Sequence, residues 1–219
     1  GARWFDGARF NYAEHALRAA TDRPGDVAIV GVSQTRDRIA LSWGDLADRV
    51  ARARAGLRRL GVGEGDRVAA YLPNIPETIV AFLATARLGA AWSSCAPEFG
   101  VQAVVDRFGQ IEPKVLLVVD GYRYGAKEVS RAGEVAAIQA ALGTVRHTVC
   151  LDYLGGHLPG TVPWSNLTDG RPTAPPPVQY VPADHPMYVL YSSGTTGLPK
   201  PIVHGHGGIL LEHLKVLGL

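Results

Sequence analysis

The sequence predicts an α/β protein, a parallel sheet flanked by helices with one hairpin loop added near its end. Three observations carry this. From Asp66 onward, short strand-like segments alternate with helical stretches of roughly 10–15 residues, the pattern of right-handed βαβ crossovers. The run Val115-Leu-Leu-Val-Val119 is apolar without alternation, as expected of a strand covered on both faces. Finally, a Gly/Ser/Thr loop, Ser193–Pro199, lies between two strand-like segments rather than between a strand and a helix.

Taken in order, Trp4 to Ala20 mixes aromatics with a short helical pattern. Val27–Val32 and Arg38–Ser42 read as strands joined by the polar turn Ser33–Asp37. Ser42 with Asp45 forms an approximate capping box ahead of Leu46, Val50, Leu57 and Leu60, an amphipathic helix stopped by Gly61. Strand Arg67–Leu72 leads to a helix opening at Pro76-Glu77 and closing at Gly89. A short strand at Ala90–Ser93, a helix from Val101 to Ile111 and the strand Val115–Val119 come next. After a turn at Asp120-Gly121, a helix over Lys127–Leu142 and a strand Val145–Cys150 are expected. Leu151–Pro186 holds 8 of the 15 prolines and reads as a stiff, polyproline-like spacer, with a proline-motif ligand as the alternative. Strand Met187–Ser192, the loop, strand Lys200–His204 and a helix from Gly208 to Leu217 follow. Leu211, Leu214 and Leu217 share one face of that helix, with nothing in the sequence to pack on.

Composition narrows the function. With 47% hydrophobic and 19% charged residues, the 219-residue chain can bury a core, which excludes intrinsic disorder. A net charge of +2 supplies no global field for nucleic acid. The longest apolar stretch, Thr78 to Trp92, carries Arg87 and falls short of the ~18 residues of a membrane span. Cys95 and Cys150 are too few for a disulfide scaffold, so a reducing cytoplasm is the expected compartment. The chain opens at Gly1 and its only Met is Met187, so both ends read as cuts in a longer protein.

The chemistry concentrates in Tyr191-Ser-Ser-Gly-Thr-Thr-Gly-Leu-Pro-Lys200. Gly194 and Gly197 let backbone N–H groups turn towards one concavity, an anion-binding nest. Ser192, Ser193, Thr195 and Thr196 add hydroxyls and Lys200 adds a cation, a set suited to polyphosphate oxygens. This is not a Walker A loop, because Lys200 is followed by Pro201 and the β-branched Ile202-Val203 instead of a helix. A dinucleotide site is also excluded: Leu72-Pro-Asn-Ile-Pro76, the first strand-to-helix turn, has no G-x-G-x-x-G.

That decapeptide resembles the phosphate loop of the adenylate-forming superfamily, which includes acyl-CoA synthetases. Further stretches resemble its acetoacetyl-CoA synthetase branch: Phe10-Asn-Tyr-Ala-Glu14, Tyr71-Leu-Pro-Asn-Ile-Pro76, Trp92-Ser-Ser-Cys-Ala-Pro-Glu-Phe-Gly100, Asp106-Arg-Phe-Gly-Gln-Ile-Glu-Pro-Lys114, Asp120-Gly-Tyr-Arg-Tyr124 and Ile202-Val-His-Gly-His-Gly-Gly208. The likeness covers nearly the whole chain. It implies the incomplete N-terminal part of the adenylate-forming fold, with residues 1–26 an N-terminal segment and 27–219 an unfinished AMP-binding domain. It also implies activation of a short-chain acid, acetoacetate, by ATP with Mg²⁺, and transfer of the acyl group to coenzyme A. Ser192, Ser193, Gly194, Thr195, Thr196, Gly197 and Lys200 would hold the ATP phosphates, and Arg107 falls where relatives contact coenzyme A. A surface salt bridge is the alternative for Arg107. The superfamily's later motifs have no counterpart before Leu219, so catalytic residues are expected elsewhere and this piece alone is expected to be inactive. Two other readings stay open: an acetyl- or propionyl-CoA synthetase, and a nucleotide-binding module without turnover.

Other signals are weaker. His204 and His206 have a metal-pair spacing but no completing ligands, so they read as pocket-shaping residues and no metal site is expected. Arg49, Arg52, Arg54, Arg58 and Arg59 read as the solvated face of a helix. Cys95 reads as packing, since no base is placed beside it. Tyr122 and Tyr124 line a cleft or cap the sheet.

Overall fold

Asn11 begins the first helix by accepting a hydrogen bond from the Ala13 N–H at 3.0 Å, the geometry of an N-cap. The structure, a computed structural model, describes residues 6–170, 177–192 and 197–218. The N-terminal part comprises β1 (Arg9–Phe10), α1 (Tyr12–Ala16) and α2 (Ala19–Asp22). Next come the hairpin β2 (Val27–Gly31) and β3 (Ile39–Ser42), then α3 (Trp43–Arg59). The expected capping box is present: Asp45 N–H donates to Ser42 Oγ at 3.0 Å, and Ser42 N–H donates to the Asp45 carboxylate at 3.1 Å.

The alternating part runs β4 (Arg67–Tyr71), α4 (Pro76–Arg87), β5 (Ala91–Cys95), α5 (Val101–Ile111) and β6 (Val115–Val119). Pro76 occupies the first turn of α4, where its missing N–H costs nothing. After β6 come β7 (Gly121–Tyr124), β8 (Lys127–Ser130), α6 (Ala132–Ala141) and β9 (His147–Leu151). The helix expected over Lys127–Leu142 therefore starts late. Its first residues pair back on β7 as an antiparallel hairpin around Gly125, whose φ of 59° makes the tight turn.

The proline-rich stretch is also more structured than a spacer. It contains β10 (Val162–Pro163), α7 (Trp164–Thr168) and β11 (Val181–Pro182), the last paired with β1. Helix α7 lies against α3 at Gly56, where a Cβ would stand 1.9 Å from the Leu167 carbonyl oxygen. Local composition could not reveal that contact, since it depends on a glycine more than a hundred residues away. The chain continues with β12 (Pro186–Ser192), β13 (Lys200–Gly205) and α8 (His206–Gly218).

The main sheet has seven strands in the order β10-β9-β6-β4-β5-β12-β13. Every neighbouring pair is parallel except β12–β13. All of β6 is buried, and its side chains alternate between two cores. Val115, Leu117 and Val119 join Leu46, Val50 and Leu57 of α3 and Val80 and Leu83 of α4. Leu116 and Val118 join Val104 and Phe108 of α5 and Val135 and Ile138 of α6. The unbroken apolar run in the sequence thus reflects helices on both faces.

Candidate functional site at the carboxyl edge of the sheet

The parallel strands β4, β5, β6 and β9 end at one edge, where loops of open α/β sheets bind their ligands. Strand β12 runs parallel to β5, so its end at Ser192 lies at that same edge. Strand β13 returns antiparallel with Ser192 opposite Lys200. The two ends of the predicted phosphate loop are therefore brought together, both exposed. Gly197 has φ 97°, a conformation that favours glycine. Ser193, Gly194, Thr195 and Thr196 lie outside the described residues.

The hairpin is attached to the sheet mainly by side chains. In the β12–β5 ladder only Tyr188 and Trp92 are paired among the described residues. Beyond that point, the buried Ser93 Oγ donates to the Val189 carbonyl at 2.9 Å. The Tyr191 hydroxyl donates to the Arg107 carbonyl on α5 at 2.6 Å, and burial pushes that phenol up to about 12. On the return limb, the Gln110 side-chain amide donates to the Pro199 carbonyl at 2.8 Å. Sequence reading missed Ser93, Tyr191 and Gln110 as contributors. Tyr191 opens the recognised decapeptide, whereas nothing local marks the other two.

Arg107 stacks beside this hairpin, its guanidinium 5.1 Å from the Phe99 ring centre and 5.9 Å from that of Tyr191. It donates to the Ala103 carbonyl at 2.7 Å, and no carboxylate pairs with it among the described residues. A half-buried cation thus stands next to the loop's entry strand. Tyr71 holds the β5–α5 connection, its hydroxyl 2.6 Å from the Pro97 carbonyl and 2.8 Å from that of Phe99. Cys95 is buried and desolvation pushes its thiol up to about 11, so the packing reading stands.

The histidines do not form a pair. His204 ends on β13 against the Tyr188 ring, while His206 is fully buried at the start of α8 and accepts from the Tyr12 N–H at 3.1 Å. Burial, with His185 alongside, pulls His206 down to about 4. No group of three His, Cys, Asp or Glu gathers among the described residues. Tyr122 packs under the Arg131 guanidinium and accepts from it at 2.9 Å, whereas Tyr124 is exposed.

The arginine face of α3 needs correction. Arg54 is buried and donates to the Pro177 carbonyl at 2.6 Å; desolvation, with Arg87 and Arg58 nearby, pulls it down to about 10. Arg59 donates to the carbonyls of Asn166, Leu167 and Asp169 at the end of α7. These two side chains fasten the proline-rich connection. Among the described residues no helix is long and apolar enough to cross a membrane.

The model of the family described as AMP-binding enzyme matches residues 17–216. Acetoacetyl-coenzyme A synthetase of Rhizobium meliloti (strain 1021) is 44% identical, over 98% of this chain and 33% of the relative. Malonamoyl-CoA synthetase of Penicillium aethiopicum is 38% identical, over 97% of this chain and 31% of its own length. Among solved structures, acetoacetyl-CoA synthetase from Streptomyces lividans matches with a TM-score of 0.95 at 54% identity, covering 100% of this chain and 34% of that one. The chain spans about a third of the length of the curated relatives it matches.

Proposed function

The chain belongs to the AMP-binding enzyme family, and on that premise we propose that the protein carrying it is an acid–thiol ligase that activates acetoacetate. The carboxylate attacks the α-phosphorus of ATP, forming an acyl-adenylate with pyrophosphate as leaving group. The sulfur of coenzyme A then displaces AMP to give the thioester. The observation that carries this reading is the decapeptide Tyr191–Lys200 on a hairpin at the carboxyl edge of the sheet. Donors along the β- and γ-phosphates stabilise the charge that builds up as pyrophosphate departs. Ser192, Ser193, Gly194, Thr195, Thr196, Gly197 and Lys200 are assigned that role. The hydroxyls and the ammonium suit phosphate oxygens, and Mg²⁺ would arrive bound to ATP. Arg107, a half-buried cation with no carboxylate paired to it among the described residues, is assigned to a phosphate of coenzyme A.

Acetoacetate is favoured over acetate or propionate because relatives of that name share 44% and 54% of residues with this chain. The test is pyrophosphate release by the protein that carries this chain, given Mg-ATP and each acid in turn. Acetoacetate should give the highest kcat/KM, and Lys200→Ala should lower it roughly 10- to 100-fold, the worth of a charge-assisted hydrogen bond. ATP binding without pyrophosphate release would instead identify a binding module.

A further inference from the structure

We infer that helix α5 holds the two ends of the phosphate loop in place, with Tyr191 and Gln110 as positioning residues that grip its two limbs. The inference rests on the phosphate-loop reading above. Its basis is where the hairpin lacks support. One backbone pair, Tyr188–Trp92, ties β12 to its parallel neighbour, whereas five tie β4 to β5. From Val189 onward the hairpin is joined to the rest of the molecule by side-chain links. Ser93 holds the middle of β12, and the last two links both end on α5. The Tyr191 hydroxyl reaches the Arg107 carbonyl one residue before the loop, and the Gln110 amide reaches the Pro199 carbonyl one residue before Lys200.

The two grips differ in setting. Tyr191 is half-buried and its ring lies near the Arg107 guanidinium, so its hydrogen bond is shielded and short. Gln110 is exposed, and its amide also donates to the Asp106 carbonyl at 2.7 Å, which orients it along the helix. Together they fix the separation of Ser192 and Lys200 before any nucleotide arrives, so that the donors need not be ordered by the ligand. Removing either grip should therefore weaken the use of ATP while leaving the use of coenzyme A unchanged.

The experiment compares Tyr191→Phe, Gln110→Ala and Lys200→Ala in the protein that carries this chain, by steady-state kinetics with Mg-ATP and coenzyme A varied separately, and by thermal melting. Expected are a rise in KM for Mg-ATP of roughly 3- to 10-fold for Tyr191→Phe and about 2-fold for Gln110→Ala, with KM for coenzyme A unchanged. Two results overturn the inference. In one, both positioning variants keep the KM for Mg-ATP while Lys200→Ala still impairs the reaction, which leaves the phosphate-loop reading intact. In the other, KM rises for both substrates together with a large loss of melting temperature, the mark of a merely structural role. If Lys200→Ala also changes nothing, the phosphate-loop reading fails, and this inference with it.

Discussion

Strands β4, β5, β6 and β9 are held by continuous parallel ladders and covered by helices on both faces, with β6 wholly buried. The β12–β13 hairpin belongs to the same sheet, yet Leu190, Ile202 and Val203 are 45–57% exposed and one ladder pair among the described residues links it inward. Stability is thus concentrated in the inner strands, and the loop proposed to bind phosphate lies on the less supported margin.

The largest expected effect separates the two regions most clearly. Leu116→Ala, in the fully buried middle of β6, should cost about 3 kcal/mol of stability by leaving a cavity, read from the denaturant midpoint. The KM for Mg-ATP should stay unchanged, and a shift in it would show that core and hairpin are coupled.

Next in size is a pH effect at the hinge between hairpin and α8. His206 is neutral in the fold, its pKa lowered to about 4 by burial and by His185, whereas the unfolded chain takes up a proton below about 6.5. Stability is therefore complete above that value and lost as pH falls towards 4, by on the order of 3 kcal/mol at the bottom of the window. Melting curves from pH 7 to pH 4.5 should show the decline. His206→Asn, whose side-chain oxygen can still accept from Tyr12 N–H, should flatten it.

How much of this was legible beforehand follows the same division. The inner strands and the helices between them were readable because burial on both faces leaves an apolar signature within a few residues, as in Val115–Val119. The proposed phosphate loop stands out in the sequence because its glycines and hydroxyls are adjacent there. What escaped depends on pairing partners, most of them far along the chain. Arg54 reads as a surface residue until Pro177 lies over it, and Lys127–Ser130 continues a helical pattern until β7 offers a strand to pair with. Gln110 looks like an ordinary helix-end residue, since its partner is 89 positions away.

The smallest expected effect tests the margin itself. Val203→Thr, at 57% exposure on β13, should change stability by less than about 0.5 kcal/mol in the same denaturant assay. A larger loss would show that the outer face of the hairpin is buried in solution.

Pro201 has one more consequence. Strand β13 is the last in the sheet order among the described residues, and an outer strand with exposed Ile202 and Val203 is the kind of surface on which chains add to one another and grow into fibrils. A proline has no N–H to offer an incoming strand, so the row of donors is interrupted one residue after Lys200. Only the short stretch Ile202–Gly205 is then left as a continuous template on β13. The proline that follows Lys200 thus makes the edge a poor seed for aggregation.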